Sequence, residues 1–148
     1  MEWMFLPLKR YFDFSGRSRR KEFWMFFLFQ LLVQTALFTL VFVIVISGPG
    51  EPSTFDESWS SVAPFILILG IWAVFWLVML VPSAAVVVRR FHDQDIAGVV
   101  GVLLYIGTLI FTLPGIVILV FMCMEDKKGD NRYGKDPKMN ENISEVFR

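Results

Sequence analysis

The polar run at residues 89–95 contains the residue types in this chain that could act in catalysis or bind a metal. It holds the sole histidine, His92, followed by Asp93 and Asp95, and it separates two long uncharged stretches. A histidine beside a carboxylate suits general-base catalysis, but the sequence offers no nucleophile or substrate pocket to accompany it. A metal site is disfavoured because a lone histidine with carboxylates is poor zinc chemistry, and Arg89 and Arg90 would repel a cation. We therefore predict no catalytic, cofactor-binding or metal-ligating residue.

Two further polar segments could join this run at one membrane face. Residues 16–22 carry four cations within seven positions, and the tail after residue 124 carries six more. If all three segments lie on one side of the membrane, their opposite charges would pair in an interfacial cluster. Such a cluster would either hold the helix ends and tail together or bind an anionic lipid headgroup or an acidic partner. The ten candidate residues are Arg17, Arg20, Glu22, Arg89, Arg90, His92, Asp93, Asn131, Arg132 and Asp136.

Within this cluster we expect the tail to dock on residues 89–95. Glycine and proline residues in the tail are turn formers that would fold it back along the membrane face. Asp93 and Asp136 are the expected acceptors for the arginine side chains. Asn131 is expected to bridge backbone groups in a turn.

The elements that must position these residues are apolar. Hydrophobic residues make up 55% of the 148-residue chain and aromatic residues 16%, with a mean hydropathy of +0.58. Neither Lys nor Arg occurs in residues 23–88 or 91–126. A soluble domain of this size rarely has such a composition, which is typical of an integral membrane protein. The single cysteine, Cys123, excludes an intrachain disulfide.

The uncharged stretches predict the helices. Residues 23–47 and 62–88 would each form a helix longer than the hydrocarbon core, which is about 30 Å thick. Residues 96–124 would give about 43 Å of helix, too long for one untilted span and too short for two. Gly107 and the pair Pro114–Gly115 interrupt this third segment and favour a re-entrant hairpin, with a single crossing as the alternative.

The predicted fold is an all-α integral membrane protein with two long transmembrane helices. The third apolar segment is broken into a short helical hairpin. An interfacial segment at residues 1–22, rich in aromatic and basic residues, precedes the transmembrane domain at 23–124, and a polar tail follows at 125–148. Residues 48–61 read as a loop with three carboxylates and no cation, so the positive-inside tendency places this loop outside and the N-terminus in the cytoplasm.

Three motifs, in order around the apolar spans, resemble the bacterial inner-membrane family called domain of unknown function 805. They are GRSRRKEFW at residues 16–24, RRFHD at 89–93 and NRYGKDP at 131–137. The resemblance covers most of the chain. It implies a multi-pass protein of the bacterial inner membrane, and it brings no established activity.

Three functions remain open on these grounds. The first is an interaction or scaffold protein whose basic cluster on the cytoplasmic face binds anionic lipid or another membrane protein. The second is an oligomeric channel lined by Gln30, Gln34 and Thr39, and the third is a membrane enzyme using His92 and Asp93. The predicted partner is the lipid bilayer, with self-association as a further option, and not nucleic acid. Gln30 and Gln34 should face protein and not lipid, because an amide left unpaired in hydrocarbon is costly.

Overall fold

Five helices make up the fold of this computed structural model, which describes residues 2–47 and 55–137, without the side chains of 55–61. They are α1 (Glu2–Lys9), α2 (Arg20–Ser47), α3 (Phe55–Asp93), α4 (Gly98–Ile110) and α5 (Thr112–Cys123). Within the described residues there is no β-strand, and the one β-bridge joins Asn131 to Gly134. The prediction of an all-α fold is confirmed.

Two helices are long and apolar enough to cross a bilayer. The candidate spans, Arg20–Ser47 and Val62–Asp93, have 28 and 32 residues, and an apolar stretch of 18 residues within each has a mean hydropathy of 2.4 and 2.6, respectively. At about 1.5 Å per residue, both exceed a hydrocarbon core of about 30 Å. Large apolar side chains along them are exposed, as at Phe38 and Leu77, which suits contact with lipid. The two predicted transmembrane helices are confirmed.

The start of α3 differs from the sequence prediction. Residues 48–61 were expected to form a loop, yet α3 begins at Phe55. Acidic residues are favoured in the first turn of a helix, because their negative charge is attracted to the positive end of the helix dipole. An acidic stretch is therefore compatible with a helix start as well as with a loop. The rest of the expected loop, residues 48–54, lies outside the described residues.

The third apolar segment forms the predicted hairpin, because α4 and α5 pack against each other. The break falls at Phe111, whose backbone is extended at φ −132° and ψ 146°. The helices have 13 and 12 residues, and at about 1.5 Å per residue neither can cross the membrane alone. The rings of Phe91 and Phe121 lie 5.0 Å apart, so the end of α5 returns to the end of α3. The alternative of a single crossing was wrong.

The contacts divide the chain into two units, each described by itself. The polar unit comprises Met1–Phe27 and Val81–Arg148, and the apolar unit comprises Leu28–Leu80. In the polar unit, the last turns of α3 form the core, where Val86, Val87 and Phe91 are buried with Met122 of α5. Every residue of the predicted cluster belongs to the polar unit.

Candidate functional site: a buried ion-pair cluster

The last two turns of α3 place charged side chains in the interior of the polar unit. Arg89, Arg90 and Asp93 are each 0% exposed, and they follow a run of buried valines. Removing a charge from water is expensive unless an opposite charge and hydrogen bonds compensate. These three residues therefore determine how the surrounding segments must be arranged, because each needs partners from elsewhere in the chain.

Arg17 connects the segment before α2 to both α3 and the tail. Its Nε donates to Oδ1 of Asp93 at 2.8 Å, and its Nη1 and Nη2 donate to the carbonyls of Gly129 (2.6 Å) and Lys127 (2.5 Å). Gly129 has φ +82°, a left-handed turn that glycine adopts without strain. One guanidinium thus uses its fixed fork of donors to hold three segments together.

Arg89 joins α3 to the first turn of α2. Its Nη2 donates to Oε1 of Glu22 at 3.0 Å, and the hydroxyl of Ser18 donates to the other carboxylate oxygen at 2.7 Å. The backbone N–H of Ser18 also donates to the carbonyl of Arg89 at 3.3 Å. Glu22 is only 2% exposed, so its charge is balanced inside the protein and not by solvent.

Arg90 is shared between two carboxylates. It pairs with Asp93 one helical turn away, and its Nη1 lies 2.5 Å from Oδ1 of Asp126 in the tail. Its Nη2 donates to the carbonyl of Met124 at 2.6 Å. Arg20, at the start of α2, lies 3.5 Å from the same Asp126 oxygen. Asp126 was not among the predicted residues; its position two residues after the apolar segment is a signal that could have pointed to it.

His92 is held by structural contacts. Its Nδ1 donates to the carbonyl of Gly16 at 3.2 Å, and its ring stacks on Tyr133 with centroids 3.9 Å apart and an angle of 7°. The carboxylate of Asp93 is taken up by Arg17 and Arg90. The alternative of a membrane enzyme, in which Asp93 would orient His92 as a general base, is therefore not favoured by this arrangement.

The tail docks on the end of α3, as expected. The amide nitrogen of Asn131 donates to the carbonyl of His92 at 2.8 Å, and its side-chain oxygen accepts from the N–H of Tyr133 at 2.9 Å. The predicted bridging role of Asn131 is confirmed. The guanidinium of Arg132 donates to the carbonyl of Asp95 at 2.9 Å and lies over the ring of Tyr133.

Asp95 is a second anchor for the tail that the sequence analysis did not include in the cluster. Its carboxylate accepts from Nζ of Lys127 at 2.8 Å, and Nε of Arg132 lies 3.2 Å away. The hydrogen bond from Lys127 is the main cause that holds the pKa of Asp95 below its ordinary value, and the charges of Lys127 and Arg132 add to it. Its backbone has φ 63°, a conformation that Asp and Asn adopt more readily than other residues with a side chain.

Asp136 accepts from a backbone N–H within the tail. The donor is Gly129 at 3.0 Å, and the expected role of Asp136 as an acceptor for arginine stays a prediction. Its own N–H donates to Oδ1 of Asp130 at 2.9 Å. Asp136 thus organises the turn of the tail. Contacts through Asp95, Asp126, Lys127, Gly129 and Tyr133 join eight of the ten predicted residues, and the other two, Arg89 and Glu22, form a separate pair with Ser18.

This arrangement suits ion pairing and anion contact. In the described part of the chain, no three side chains of His, Cys, Asp or Glu come close enough together to hold a metal ion. The interior of the cluster contains three arginines and three carboxylates, namely Arg17, Arg89 and Arg90 with Glu22, Asp93 and Asp126. These buried charges balance, and Arg20, whose side chain is 34% exposed, adds one positive charge at the edge.

Comparison with known proteins agrees with the motifs. The model of a family described as "Protein of unknown function (DUF805)" matches residues 11–135. Inner membrane protein YhaI of Escherichia coli (strain K12) is 34% identical over 145 residues, which covers 96% of this chain and 100% of the relative. Inner membrane protein YhaH of the same strain is 32% identical over 142 residues, covering 94% and 98%. No solved structure matches the chain. The family match over most of the chain and these full-length relatives show that the chain belongs to the DUF805 family.

Proposed function

We propose that this chain is an inner-membrane interaction protein whose polar unit faces the cytoplasm and binds anionic lipid headgroups. Two relatives that match it along almost their full length are named inner membrane proteins. Residues 2–22, 89–95 and 124–137 together carry twelve Lys and Arg against nine Asp and Glu, whereas residues 48–61 carry three carboxylates and no cation. This asymmetry favours a cytoplasmic polar unit, because cytoplasmic segments near membrane spans are enriched in Lys and Arg.

The observation that supports lipid contact is the separation of two classes of cation. The charges of the buried arginines Arg17, Arg89 and Arg90 are balanced by carboxylates of the same chain. The remaining cations project outward around them. These exposed cations are Lys9, Lys21, Lys127, Lys128, Arg132 and Lys135, of which Lys127 and Arg132 also pair with Asp95.

The exposed cations flank the apolar helices directly. Lys21 lies in the first turn of α2, and Lys127 and Lys128 follow within five residues of the end of α5. Cations at this level contact the headgroup layer, where each contributes about 1 kcal/mol of attraction to an anionic surface. The buried network thus presents its outer cations to the membrane surface in a fixed arrangement.

The channel alternative is not favoured by the contacts in the apolar unit. The hydroxyls of Thr35 and Thr39 donate to carbonyls of their own helix, each at 2.8 Å. The side-chain oxygen of Gln34 accepts from Nε1 of Trp72. The two hydroxyls and the Gln34 oxygen thus have partners within the apolar unit, so they do not form the row of free polar groups that would line an aqueous path.

A lipid-binding measurement tests the proposal. The purified full-length protein is placed in nanodiscs of phosphatidylcholine alone or mixed with phosphatidylglycerol, and bound lipids are counted by native mass spectrometry. We expect the wild type to retain phosphatidylglycerol preferentially, with less retention at higher salt because salt screens exposed charges. In the double variant Lys128→Gln/Lys135→Gln, the preference should fall by roughly 30-fold, since two cations of about 1 kcal/mol each are lost.

The matched control is Glu125→Lys, which adds charge to the same tail at an exposed position and should strengthen the preference. Equal retention of both lipids by the wild type would contradict the proposal. So would an unchanged preference in the double variant. A third outcome is that the wild type shows no lipid preference but copurifies with a protein that the double variant does not retain. The ligand of the exposed cations would then be an acidic protein and not lipid.

A further inference from the structure

A cavity in the apolar unit combines an apolar wall with two polar side chains, Gln34 and Thr35. Its volume is about 520 Å³, and it is lined by five residues of α2 and by Leu69 and Trp72 of α3. All of these residues belong to the two candidate spans, so the cavity lies at the level of the hydrocarbon core. Phe38, one of its lining residues, is 72% exposed, which makes the cavity an open groove along α2.

Of the two polar side chains, Thr35 donates its hydroxyl to the carbonyl of Leu31, and within the described part of the chain Gln34 keeps a free donor. Its side-chain oxygen accepts from Nε1 of Trp72 at 2.5 Å, while its amide nitrogen has no hydrogen-bond partner among the described residues. Gln34 follows Arg20 by fourteen positions, which is about 21 Å along the helix and near the middle of the bilayer. Hydrocarbon offers no acceptor to an amide N–H, so this group favours any partner that brings one.

The spacing of the lining residues on α2 is that of a helix-packing seam. Leu37 and Phe38 follow Gln34 by three and four positions, and Val41 follows Phe38 by three. This spacing places the four side chains in one stripe along the helix. A lipid chain can fill such a groove, but it has no acceptor for the amide. A neighbouring helix can do both, because its side chains fill the gaps and a polar side chain pairs with the amide.

We propose that the groove binds a second copy of this chain, with Gln34 of each copy paired to Gln34 of the other. A primary amide carries both donor hydrogens and an acceptor oxygen, so two identical amides related by a two-fold axis satisfy each other. The oxygen retains a second lone pair beside its bond from Trp72. Two copies inserted in the same orientation place their Gln34 side chains at the same depth in the membrane. An unrelated protein need not have a polar side chain at that depth. This self-association is independent of the lipid binding proposed above.

Fluorescence energy transfer between donor- and acceptor-labelled full-length copies in phosphatidylcholine vesicles measures this association. Wild-type transfer should fall as the copies are diluted with lipid. Gln34→Leu should weaken the association by roughly tenfold or more, because the reciprocal amide bonds are lost. The matched control is Gln30→Leu, which removes an amide one turn earlier from a residue that does not line the groove, and it should have a smaller effect.

Cross-linking gives a second readout that keeps Gln34 intact. In a Cys123→Ser background, Val41→Cys should form a disulfide between copies under mild oxidation, whereas Val43→Cys, exposed on the same helix but outside the groove, should form far less. A protein that stays monomeric at every dilution would overturn the proposal and leave the groove to lipid. Association of Gln34→Leu as strong as that of the wild type would overturn it as well. So would stronger cross-linking by Val43→Cys than by Val41→Cys.

Discussion

Arg17 and Asp93 lie 76 positions apart in the chain, yet Nε of Arg17 donates to Oδ1 of Asp93 at 2.8 Å. Their side chains are 1% and 0% exposed, so the pair is shielded from solvent. The other two nitrogens of Arg17 reach carbonyls of the tail. A single buried side chain therefore links the entry to α2, the end of α3 and the segment after α5.

We expect Arg17→Lys to destabilise the protein although it keeps the charge. A lysine ammonium is a point charge that cannot reproduce three donors in a fixed planar fork. Losing two charge-assisted hydrogen bonds should lower the free energy of unfolding by about 2–4 kcal/mol. Titration with sodium dodecyl sulfate in detergent micelles measures this change. The reverse change at an exposed site, Lys21→Arg, is the control and should have no effect; equal stability of both variants would contradict the assigned role.

Asp126→Asn tests the acceptor that Arg90 and Arg20 share. The amide keeps the shape but removes the charge, so Arg90 retains only Asp93 as a carboxylate partner. We expect the free energy of unfolding to fall by about 2–3 kcal/mol, because a buried cation loses part of its compensation. The neighbouring exposed carboxylate gives the control variant Glu125→Gln, which should match the wild type. A stability equal to that of the control would show that Asp126 is not needed.

Gly98→Ala should disturb the contact between the hairpin and α3. A Cβ at Gly98 would lie 2.5 Å from Nε2 of His92 and 2.7 Å from Cγ1 of Val88. His92 cannot move away cheaply because it stacks on Tyr133, so we expect a loss of about 1–3 kcal/mol in unfolding free energy. At Gly70, where nothing lies within 4 Å of an added Cβ, alanine should be neutral or stabilising. Thermal unfolding of both variants measures this difference in stability, and equal stability of the two would contradict the crowding at Gly98.

Tail docking should depend on pH through Asp95. Because its pKa is lowered in the folded protein, Asp95 stabilises the docked tail fully above its unfolded pKa of about 3.9. This contribution is lost as the pH falls through the lower folded value. Hydrogen exchange of the tail amides, compared near neutral pH and below pH 4, should therefore show release of the tail on acidification.

Asp95→Asn provides the comparison, since asparagine also tolerates the positive φ at this position. Its tail amides should exchange faster already at neutral pH, and they should change less on acidification than those of the wild type. An identical pH response of variant and wild type would mean that other carboxylates control docking.

The two long helices, the break in the third apolar segment and the family followed from the sequence alone. The free energy of placing a segment in hydrocarbon depends on its own residues and length, so uncharged runs and their glycine and proline interruptions are informative without tertiary structure. The polar motifs likewise identified most of the residues that meet at the end of α3. The start of α3 at Phe55 was missed, because acidic residues suit both a loop and a first helical turn.

The pairing inside the cluster was decided only by tertiary structure. Asp126 and Asp136 both follow the hairpin and have the same side chain, yet the first meets Arg90 and the second caps a turn at Gly129. Which carboxylate meets which arginine depends on where the hairpin returns the chain, and that is set by packing between Phe91 and Phe121. Contacts between residues this far apart in the chain depend on its three-dimensional path, whereas hydrophobicity is a property of each segment alone.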